Sequence, residues 1–463
     1  MIAVTTVLAF LVTLGVLIVV HEWGHYRMAR ACGVKVLRFS VGFGRTLWRH
    51  QRSPDDTEFV VAVLPLGGYV KMLDEREDPV PGADLHMAFN RKPLRQRAAI
   101  VAAGPVANLV LAVLLYAVQN WIGIDEPKAL LSAPAAGSLA EKAGLRSGDW
   151  VRASVPADTL ASGGSEIRSM TDLRWQVMQA AIDRDPLVLE VSDASGRGLR
   201  RVTLDLDRVD GGDVDSSFLT RVVGLPPPFA PPVMGDPVAG GPAARAGLRS
   251  GDRVLRVDGE PVLDAHQLRL RIRKLGPDSE ARPMTWLVER QGRTLELVVL
   301  PRVLGDGAQR IGRIDAIVGK VLPEMVTVRL GLLDGLTRGA TLTWEQATLT
   351  LKMFGRMIVG EASLKNLSGP ITIADYAGQS AERGVSYYLG FLALVSVGLG
   401  VLNLLPVPLL DGGHLMYYLF EGLTGRPVSE MWLRWLQRGG ALLLMLMMTL
   451  ALSNDVARLL GLH

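Results

Sequence analysis

The chain has 463 residues, a formal net charge of +4 and a single cysteine, and its mean hydropathy is +0.25. One cysteine excludes an intrachain disulfide. The basic excess is small and dispersed, so we expect no nucleic-acid partner. Positive mean hydropathy favours a membrane protein instead, and the length allows several domains.

Four apolar segments are predicted to cross a lipid bilayer. About 20 apolar residues in a helix span a hydrocarbon core of about 30 Å. The predicted spans are residues 1–30, 98–120, 384–412 and 430–455. The first could instead be a cleaved secretory signal, but it lacks a basic start and a clear cleavage site, and it continues directly into a polar motif.

That polar motif is HEWGH, at His21–His25. It fits the HExxH pattern, in which His21 and His25 project from one helical face and can both reach one Zn²⁺, while Glu22 can take a proton from water. Burying a charge in the bilayer costs about 2.5–3.5 kcal/mol, so an intramembrane cluster of this kind indicates function. The alternative is that these side chains only snorkel to the cytoplasmic interface.

Basic residues in the short connections predict the orientation of the spans. They are Lys35 and Arg38 after the first span, Arg91, Lys92, Arg95 and Arg97 before the second, and Arg426, Arg434 and Arg438 between the third and fourth. The positive-inside rule places these connections in the cytoplasm. Both termini and the long region from Gly123 to Gly384 are then expected outside the cytoplasm.

The first connection, residues 31–97, contains a strand-like apolar segment, Phe59–Leu73, around a Gly-Gly pair. We interpret it as a membrane-associated, re-entrant β-hairpin whose edge accepts a substrate as an added strand. An ordinary cytoplasmic hairpin satisfies the strand signals equally well. The residues assigned to substrate contact in this segment are Gly67, Gly68, Tyr69 and Val70.

The heptapeptide AGLRSGD occurs twice, at Ala143–Asp149 and at Ala246–Asp252. An identical match of this length predicts a duplicated domain. With their flanking sequences, residues 126–208 and 220–305 resemble bacterial PDZ domains, which bind extended peptides at a sheet edge. A spacer or packing platform that binds no peptide is the alternative. Residues 320–383, which follow, are predicted to form an amphipathic helical region.

The third span ends in NLLPVPLLDGGH, Asn403–His414. A catalytic zinc needs a third protein ligand and one open position, and Asp411 is the best candidate for that ligand. The first and third spans run in the same direction, so His21 and Asp411 should reach a similar depth. Pro406 and Pro408 are expected to break the helix before Asp411, although a plain kink would need the same prolines.

These motifs together resemble the site-2 protease family of intramembrane zinc metalloproteases, peptidase family M50. The resemblance is carried by HEWGH, by GPVAN at Gly104–Asn108 and by NLLPVPLLDGG. The PDZ pair, PLGGYVKM at Pro65–Met72 and NLSGP at Asn366–Pro370 are similar to bacterial members that regulate the sigma-E stress response.

The resemblance implies a site and a location. His21, His25 and Asp411 would bind one Zn²⁺ per chain, and Glu22 would be the catalytic base. Asn403 would contact the substrate or the developing oxyanion, and Asn108 is also assigned to substrate contact. The protein would lie in a bacterial inner membrane, with PDZ domains and termini in the periplasm and the active site near the cytoplasmic leaflet.

The resemblance also implies a substrate. It would be a single-span membrane protein in the bilayer, of the anti-sigma factor type, cleaved after an earlier extracytoplasmic cut, with leftover signal peptides as a second class. The PDZ pair would either exclude uncut substrates or bind a new chain end. One alternative function is a catalytically inactive, membrane-anchored PDZ scaffold, which leaves the segment with Asn403 and Asp411 unexplained. Another is a serine protease with PDZ domains, but the sequence has no GxSxG elbow.

The expected fold is therefore a polytopic α-helical membrane protein with four transmembrane helices, a cytoplasmic-side re-entrant β-hairpin and two tandem extracytoplasmic PDZ domains.

Overall fold

The computed structural model describes residues 2–156, 164–207, 219–274, 280–305, 310–359, 369–426 and 428–459. The chain divides into two compact units. The first, here called the helical unit, consists of Met1–Ile124 and Arg329–His463. The second, here called the β unit, is Asp125–Val328.

The helices and strands have the following bounds. The α-helices are α1 (Ile2–Ala31), α2 (Leu94–Ile122), α3 (Leu139–Lys142), α4 (Met170–Asp183), α5 (Pro242–Arg245), α6 (Ala265–Arg273), α7 (Leu332–Val359), α8 (Pro370–Arg383), α9 (Val385–Leu404), α10 (Asp411–Thr424) and α11 (Glu430–Leu459). The strands are β1 (Val36–His50), β2 (Glu58–Met72), β3 (Ile124–Pro127), β4 (Trp150–Pro156), β5 (Ser165–Glu166), β6 (Leu187–Ser192), β7 (Arg200–Leu204), β8 (Met234–Pro237), β9 (Arg253–Val257), β10 (Glu260–Pro261), β11 (Met284–Arg290), β12 (Arg293–Val299), β13 (Arg302–Leu304), β14 (Ile311–Arg313), β15 (Ala316–Val318) and β16 (Met325–Val328).

Within the described part of the chain, four helices are long and apolar enough to cross a membrane. They are Val4–Ala31 of α1, Leu94–Ile122 of α2, Val385–Leu404 of α9 and Met431–Arg458 of α11. Most of their residues are not buried inside the protein, as expected for helices whose outer faces meet lipid. The four predicted spans are therefore confirmed as helices, with bounds that differ by several residues.

The predicted helix break at Pro406 and Pro408 is confirmed, but the end of the third span needs a correction. The span was predicted to run over residues 384–412, but α9 ends at Leu404 and Asp411 is the first residue of a separate helix, α10. The physical reason is the pair Pro406 and Pro408, whose missing N–H groups and ring sterics prevent the helix from continuing. The carboxylate of Asp411 thus lies at a helix N-terminus, where the helix dipole favours a negative charge.

Small residues bring α1 and α2 into close contact. A Cβ added to Gly24 would lie 2.3 Å from the main-chain oxygen of Ala103, so only glycine allows this approach. Polar contacts also connect α1 with α9, because the Tyr388 hydroxyl of α9 lies 2.9 Å from both the Thr13 hydroxyl and the Ala9 main-chain oxygen of α1. Close approach of small residues is the usual basis of helix packing in membranes.

The predicted amphipathic region, residues 320–383, contains strand β16 as well as the helices α7 and α8. The NLSGP motif lies mostly outside the described residues, which resume at Gly369. The start of α8 is capped by Asp455 of α11, whose carboxylate accepts hydrogen bonds from Gly369 N at 3.0 Å, Ile371 N at 2.9 Å and Thr372 N at 3.1 Å. This cap satisfies N–H groups that a helix start leaves unpaired.

Strand β2 pairs antiparallel with β1, and both strands bend. Phe39 lies opposite both Val70 and Phe59, so the first half of β1 lies between the two halves of β2. Gly67, at φ +152°, and Gly42, at φ +93°, have backbone conformations that favour glycine and lie at the bends. The hairpin was expected within Phe59–Leu73, but this segment is a single bent strand whose partner is residues 36–50.

The β unit contains two modules of similar design. Each has a described four-stranded sheet, in the order β5-β4-β6-β7 in the first module and β10-β9-β11-β12 in the second, with a helix, α4 or α6, packed in its core. The first domain was predicted to end at residue 208 and the second to begin at residue 220. These boundaries need correction, because Val223 and Leu225 pack in the core of the first module. The second module extends to Val318, since β15 pairs with β8.

The two AGLRSGD copies make the same local contact. Asp149 accepts a hydrogen bond from Arg146 N at 2.7 Å, and Asp252 accepts one from Arg249 N at 2.8 Å. The Asp252 carboxylate also receives two hydrogen bonds of 2.7 Å from the Arg290 guanidinium. Burial alone would raise the pKa of Asp252, but these hydrogen bonds outweigh it and hold the pKa below its ordinary value.

We predict that Asp252→Asn destabilises the β unit by about 2 kcal/mol, because it weakens the two hydrogen bonds to the Arg290 guanidinium, whose side chain is 21% exposed. The carboxylate contributes stability at neutral pH, and this contribution is lost as the pH falls through its lowered folded-state pKa. The variant should therefore be more protease-sensitive than the wild type at pH 7. Its stability should also fall less when the pH is lowered. The matched control is Asp193→Asn in an exposed loop, and equal resistance of the two variants would contradict the prediction.

Candidate metal centre

Three side chains of the helical unit converge on one point. His21 and His25 lie one turn apart on α1, and Asp411 begins α10. The Nε2 atoms of the two histidines are 3.3 Å apart, and they lie 3.2 Å and 3.4 Å from Oδ2 of Asp411. Each residue therefore turns one ligand atom towards a common centre.

The size of this triangle fits a zinc ion. Zinc bonds to nitrogen and oxygen of about 2.0–2.1 Å, directed to the corners of a tetrahedron, place neighbouring ligand atoms about 3.3–3.4 Å apart. The three measured separations, from 3.2 to 3.4 Å, match that edge length. Two imidazoles and one carboxylate are also a common ligand set for catalytic zinc, and they leave the fourth corner open.

Helix α2 supports the imidazole of His25. Its Nδ1 lies 2.8 Å from the main-chain oxygen of Ile100 and donates a hydrogen bond to it, which leaves Nε2 unprotonated and able to bind metal. Gly104 provides space for the ring, because a Cβ at this position would lie 2.2 Å from Nε2 of His25. The GPVAN motif thus has a direct steric role at the centre.

Glu22 and Asn403 line the same cavity as the three ligand atoms. The cavity has a volume of about 960 Å³. Glu22 is only 8% exposed, and it directly follows His21 on α1. Asn403 lies in the last turn of α9. Both residues therefore border the same space as the three ligand atoms.

The hairpin supplies another wall of the cavity. Gly68, Tyr69 and Val70 line it, whereas Gly67 lies at the bend of β2. A Cβ on Gly68 would lie 2.8 Å from Cγ of Glu22, so the strand passes directly against α1. Three of the four hairpin residues predicted for substrate contact are thus brought to the cavity.

Asn108 is placed differently from its predicted role. Its side chain is fully buried, and its Nδ2 lies 3.3 Å from Nδ1 of His21, on the side of the ring away from Asp411. Its main-chain oxygen accepts a hydrogen bond of 2.8 Å from the buried Ser396 hydroxyl on α9. Asn108 therefore contacts a histidine, and its role in substrate contact stays a prediction.

Sequence reasoning missed the charged residues of the cavity. Arg97 on α2 pairs with Glu421 on α10 at 2.6 Å, and Arg76 pairs with Asp74. These residues line the cavity beyond the metal centre. In the sequence Arg97 stands out only as one of the basic residues that predict orientation, and Glu421, Arg76 and Asp74 lie in segments without a recognisable motif.

The chain sequence matches the family model of peptidase family M50 over residues 9–447. The chain belongs to this family. It is 43% identical to a Ralstonia nicotianae protein named "Putative zinc metalloprotease", over 99% of both chains. It is 40% identical to the regulator of sigma-E protease RseP of Escherichia coli and to that of Salmonella typhimurium, over 97% of this chain and 98% of each relative.

Family membership establishes the class of the protein. It is a membrane-embedded zinc metalloendopeptidase of the site-2 protease type, and its cofactor is zinc. The resemblance inferred from the motifs and the expected zinc cofactor are therefore confirmed.

We predict that Gly104→Ala lowers zinc affinity by about 100-fold or more, because the new methyl group displaces the His25 ring. Alanine is the better helix former by about 1 kcal/mol, so the helix itself should not suffer. The matched control is Gly398→Ala in α9, where an added Cβ meets nothing within 4 Å. Competition with a chromophoric chelator measures the affinity, and wild-type affinity in Gly104→Ala would contradict the steric argument.

Proposed function

We propose that this enzyme cleaves transmembrane segments of single-span membrane proteins, with His21, His25 and Asp411 as the zinc ligands. The observation that carries the proposal is the triangle of ligand atoms at 3.2–3.4 Å in a unit of apolar helices. When bound there, zinc would act as a Lewis acid that polarises the scissile carbonyl and acidifies the attacking water.

Glu22 is the general base in this proposal. It is buried beside both imidazoles and lines the cavity, so its carboxylate can take a proton from the attacking water and later deliver it to the leaving amine. Asn403 lies in the same cavity, and its amide can donate a hydrogen bond to the carbonyl oxygen as negative charge grows there. Such a donor contributes about 3 kcal/mol in comparable sites.

A helical substrate must be unwound before cleavage, because its carbonyls are hydrogen-bonded within the helix. Residues 68–72 pair with the first half of β1 on one side, and in the part of the chain that is described they pair with no strand on the other. Leu73 N donates to Lys35 O at 2.9 Å, so alternation along β2 turns the N–H groups of Val70 and Met72 to the open side. A substrate strand added at this edge would lie extended beside Glu22.

The two modules of the β unit are PDZ domains in this proposal. Four-stranded antiparallel sheets with one packed helix, together with the repeated Gly-Asp turn, support that assignment. Their role is either to exclude bulky uncut substrates or to bind the chain end left by an earlier cleavage. The names of the relatives, regulators of sigma-E, support an anti-sigma factor as the substrate.

The proposed location is the bacterial inner membrane. The basic connections lie in the cytoplasm, the termini and the PDZ domains in the periplasm, and the hairpin enters the cytoplasmic leaflet. An inactive PDZ scaffold is the weaker alternative, because it gives no reason for two histidines and a carboxylate to meet at the edge length of a zinc tetrahedron.

We predict that purified wild-type protein contains about one zinc per chain and that Glu22→Gln keeps this zinc while cleavage falls by at least about 10²–10⁴-fold. Glutamine has the shape of glutamate but cannot accept the proton. Metal analysis and cleavage of single-span substrates, each tested whole and trimmed outside the membrane, provide the measurement. An active Glu22→Gln enzyme would refute the role of Glu22, and an active metal-free enzyme would refute the zinc mechanism.

We also predict that Val70→Pro abolishes cleavage, whereas Val70→Ala remains active. Proline removes the outward N–H that an added strand would use. Alanine keeps this N–H but loses more of the valine side-chain volume, so the pair separates loss of the hydrogen bond from loss of packing. Zinc content should be unchanged in both variants, because Val70 lies on β2, whereas the proposed ligands lie on α1 and α10. Full activity in Val70→Pro, or equal loss in both variants, would argue against strand addition.

A further inference from the structure

The side chain of Asn108 has a buried oxygen atom without a hydrogen-bond partner among the described residues. It is fully buried, its Nδ2 faces Nδ1 of His21 at 3.3 Å, and its Oδ1 has no hydrogen-bond partner among the residues that the structure describes. A buried oxygen without a donor costs about 1–3 kcal/mol. Buried amides in folded proteins are nearly always satisfied, so this group calls for an explanation.

The tautomer of His21 that metal binding requires explains this unpaired oxygen. Nε2 of His21 faces Asp411 and His25, so it is the atom that would bind metal. A neutral imidazole with a free lone pair on Nε2 carries its proton on Nδ1, and this N–H needs an acceptor. An amide NH₂ directed at Nδ1 favours the opposite tautomer, with the proton on the atom that faces the ligands.

A half-turn of the Asn108 amide exchanges oxygen and nitrogen with almost no change in shape, and it gives both the buried oxygen and Nδ1 of His21 a partner. Oδ1 then accepts the hydrogen bond from Nδ1 of His21, and the NH₂ group takes the position that Oδ1 held. The number of protons on His21 is the same in both arrangements. Only the rotated amide is consistent with a metal-binding Nε2.

We infer that Asn108 is a positioning residue of the metal centre, whose amide oxygen accepts a hydrogen bond from Nδ1 of His21 and directs Nε2 to the zinc. This inference rests on the proposed ligand role of His21. Both histidines would then donate from Nδ1 to an acceptor on α2. For His25 this acceptor is the main-chain oxygen of Ile100. Ligating histidines are commonly held by such acceptors.

The position of Asn108 on α2 suits this role. Side chains on a helix lean towards its N-terminus, so the amide of Asn108 covers the turn around Gly104, where α2 approaches the histidines. The main chain of Asn108 is held by the hydrogen bond from Ser396, which is itself fully buried. The acceptor is thus fixed to α2 and α9, which flank the site.

The test compares zinc affinities of the full-length protein in detergent by chelator competition. Asn108→Leu, of similar size but without an acceptor, should lose about 10- to 100-fold in affinity. Asn108→Asp, which has only acceptor atoms at the end of its side chain, should keep an affinity close to that of the wild type. The matched control is Asn120→Leu on the same helix, which removes a buried hydrogen bond to Tyr116 O at 2.7 Å without touching the centre, and should bind zinc normally.

Two outcomes would overturn the inference. Wild-type zinc affinity in Asn108→Leu would show that no acceptor is needed, and equal losses in Asn108→Leu and Asn108→Asp would show that the NH₂ group or packing matters instead. If Asn108→Leu fails to fold, ¹⁵N-histidine spectra of the zinc-loaded wild type decide, because Nδ1 of His21 should carry a proton and a bare Nδ1 would refute the proposal. Failure of the proposed function itself is distinct, because the wild type would then bind no zinc.

Discussion

Charge balance at the metal centre is the constraint on which the helical unit depends. In the proposed mechanism His21 and His25 would bind zinc as neutral imidazoles, whereas Glu22 and Asp411 as carboxylates would carry two negative charges. Burying such charges in an apolar environment is costly unless they are paired. A divalent cation cancels both charges, so binding of zinc and assembly of α1 with α10 should be thermodynamically coupled.

Helix α2 is the element that holds the centre in shape. Gly24 and Gly104 allow α1 and α2 to approach until the main chain of α2 contacts the imidazole of His25. The acceptor, Ile100 O, belongs to the main chain of a helix and not to a flexible side chain, so the hydrogen bond fixes the orientation of the ring. Gly104 of the GPVAN motif therefore provides space for the ring, and Ile100, one turn earlier on α2, orients it.

The cavity combines two kinds of chemistry that an intramembrane protease needs. One wall presents the ligand atoms and Glu22, and another is the open edge of β2. In the proposed function this edge would offer main-chain groups in place of the hydrogen bonds that an unwound substrate helix loses. Gly68 brings these walls together, since any side chain there would collide with Glu22.

Local patterns in the sequence were sufficient for several conclusions. Hydropathy located the spans, the HExxH spacing placed His21 and His25 on one helical face, and the repeated AGLRSGD indicated a duplicated module. Each of these depends on neighbouring residues and on the fixed period of a helix. The convergence of Asp411 on the histidines was also expected, from the direction and length of two spans.

Only the tertiary structure decided the features that depend on distant segments. It placed Asp411 at the start of α10, folded β2 around residues 36–50, moved Val223 and Leu225 into the first module and directed the Asn108 side chain to His21. Strand pairing and the rotation of one helix against another are set by packing between residues far apart in the chain. No local periodicity encodes that packing, whereas the ligand types and their helical spacing are properties of the sequence itself.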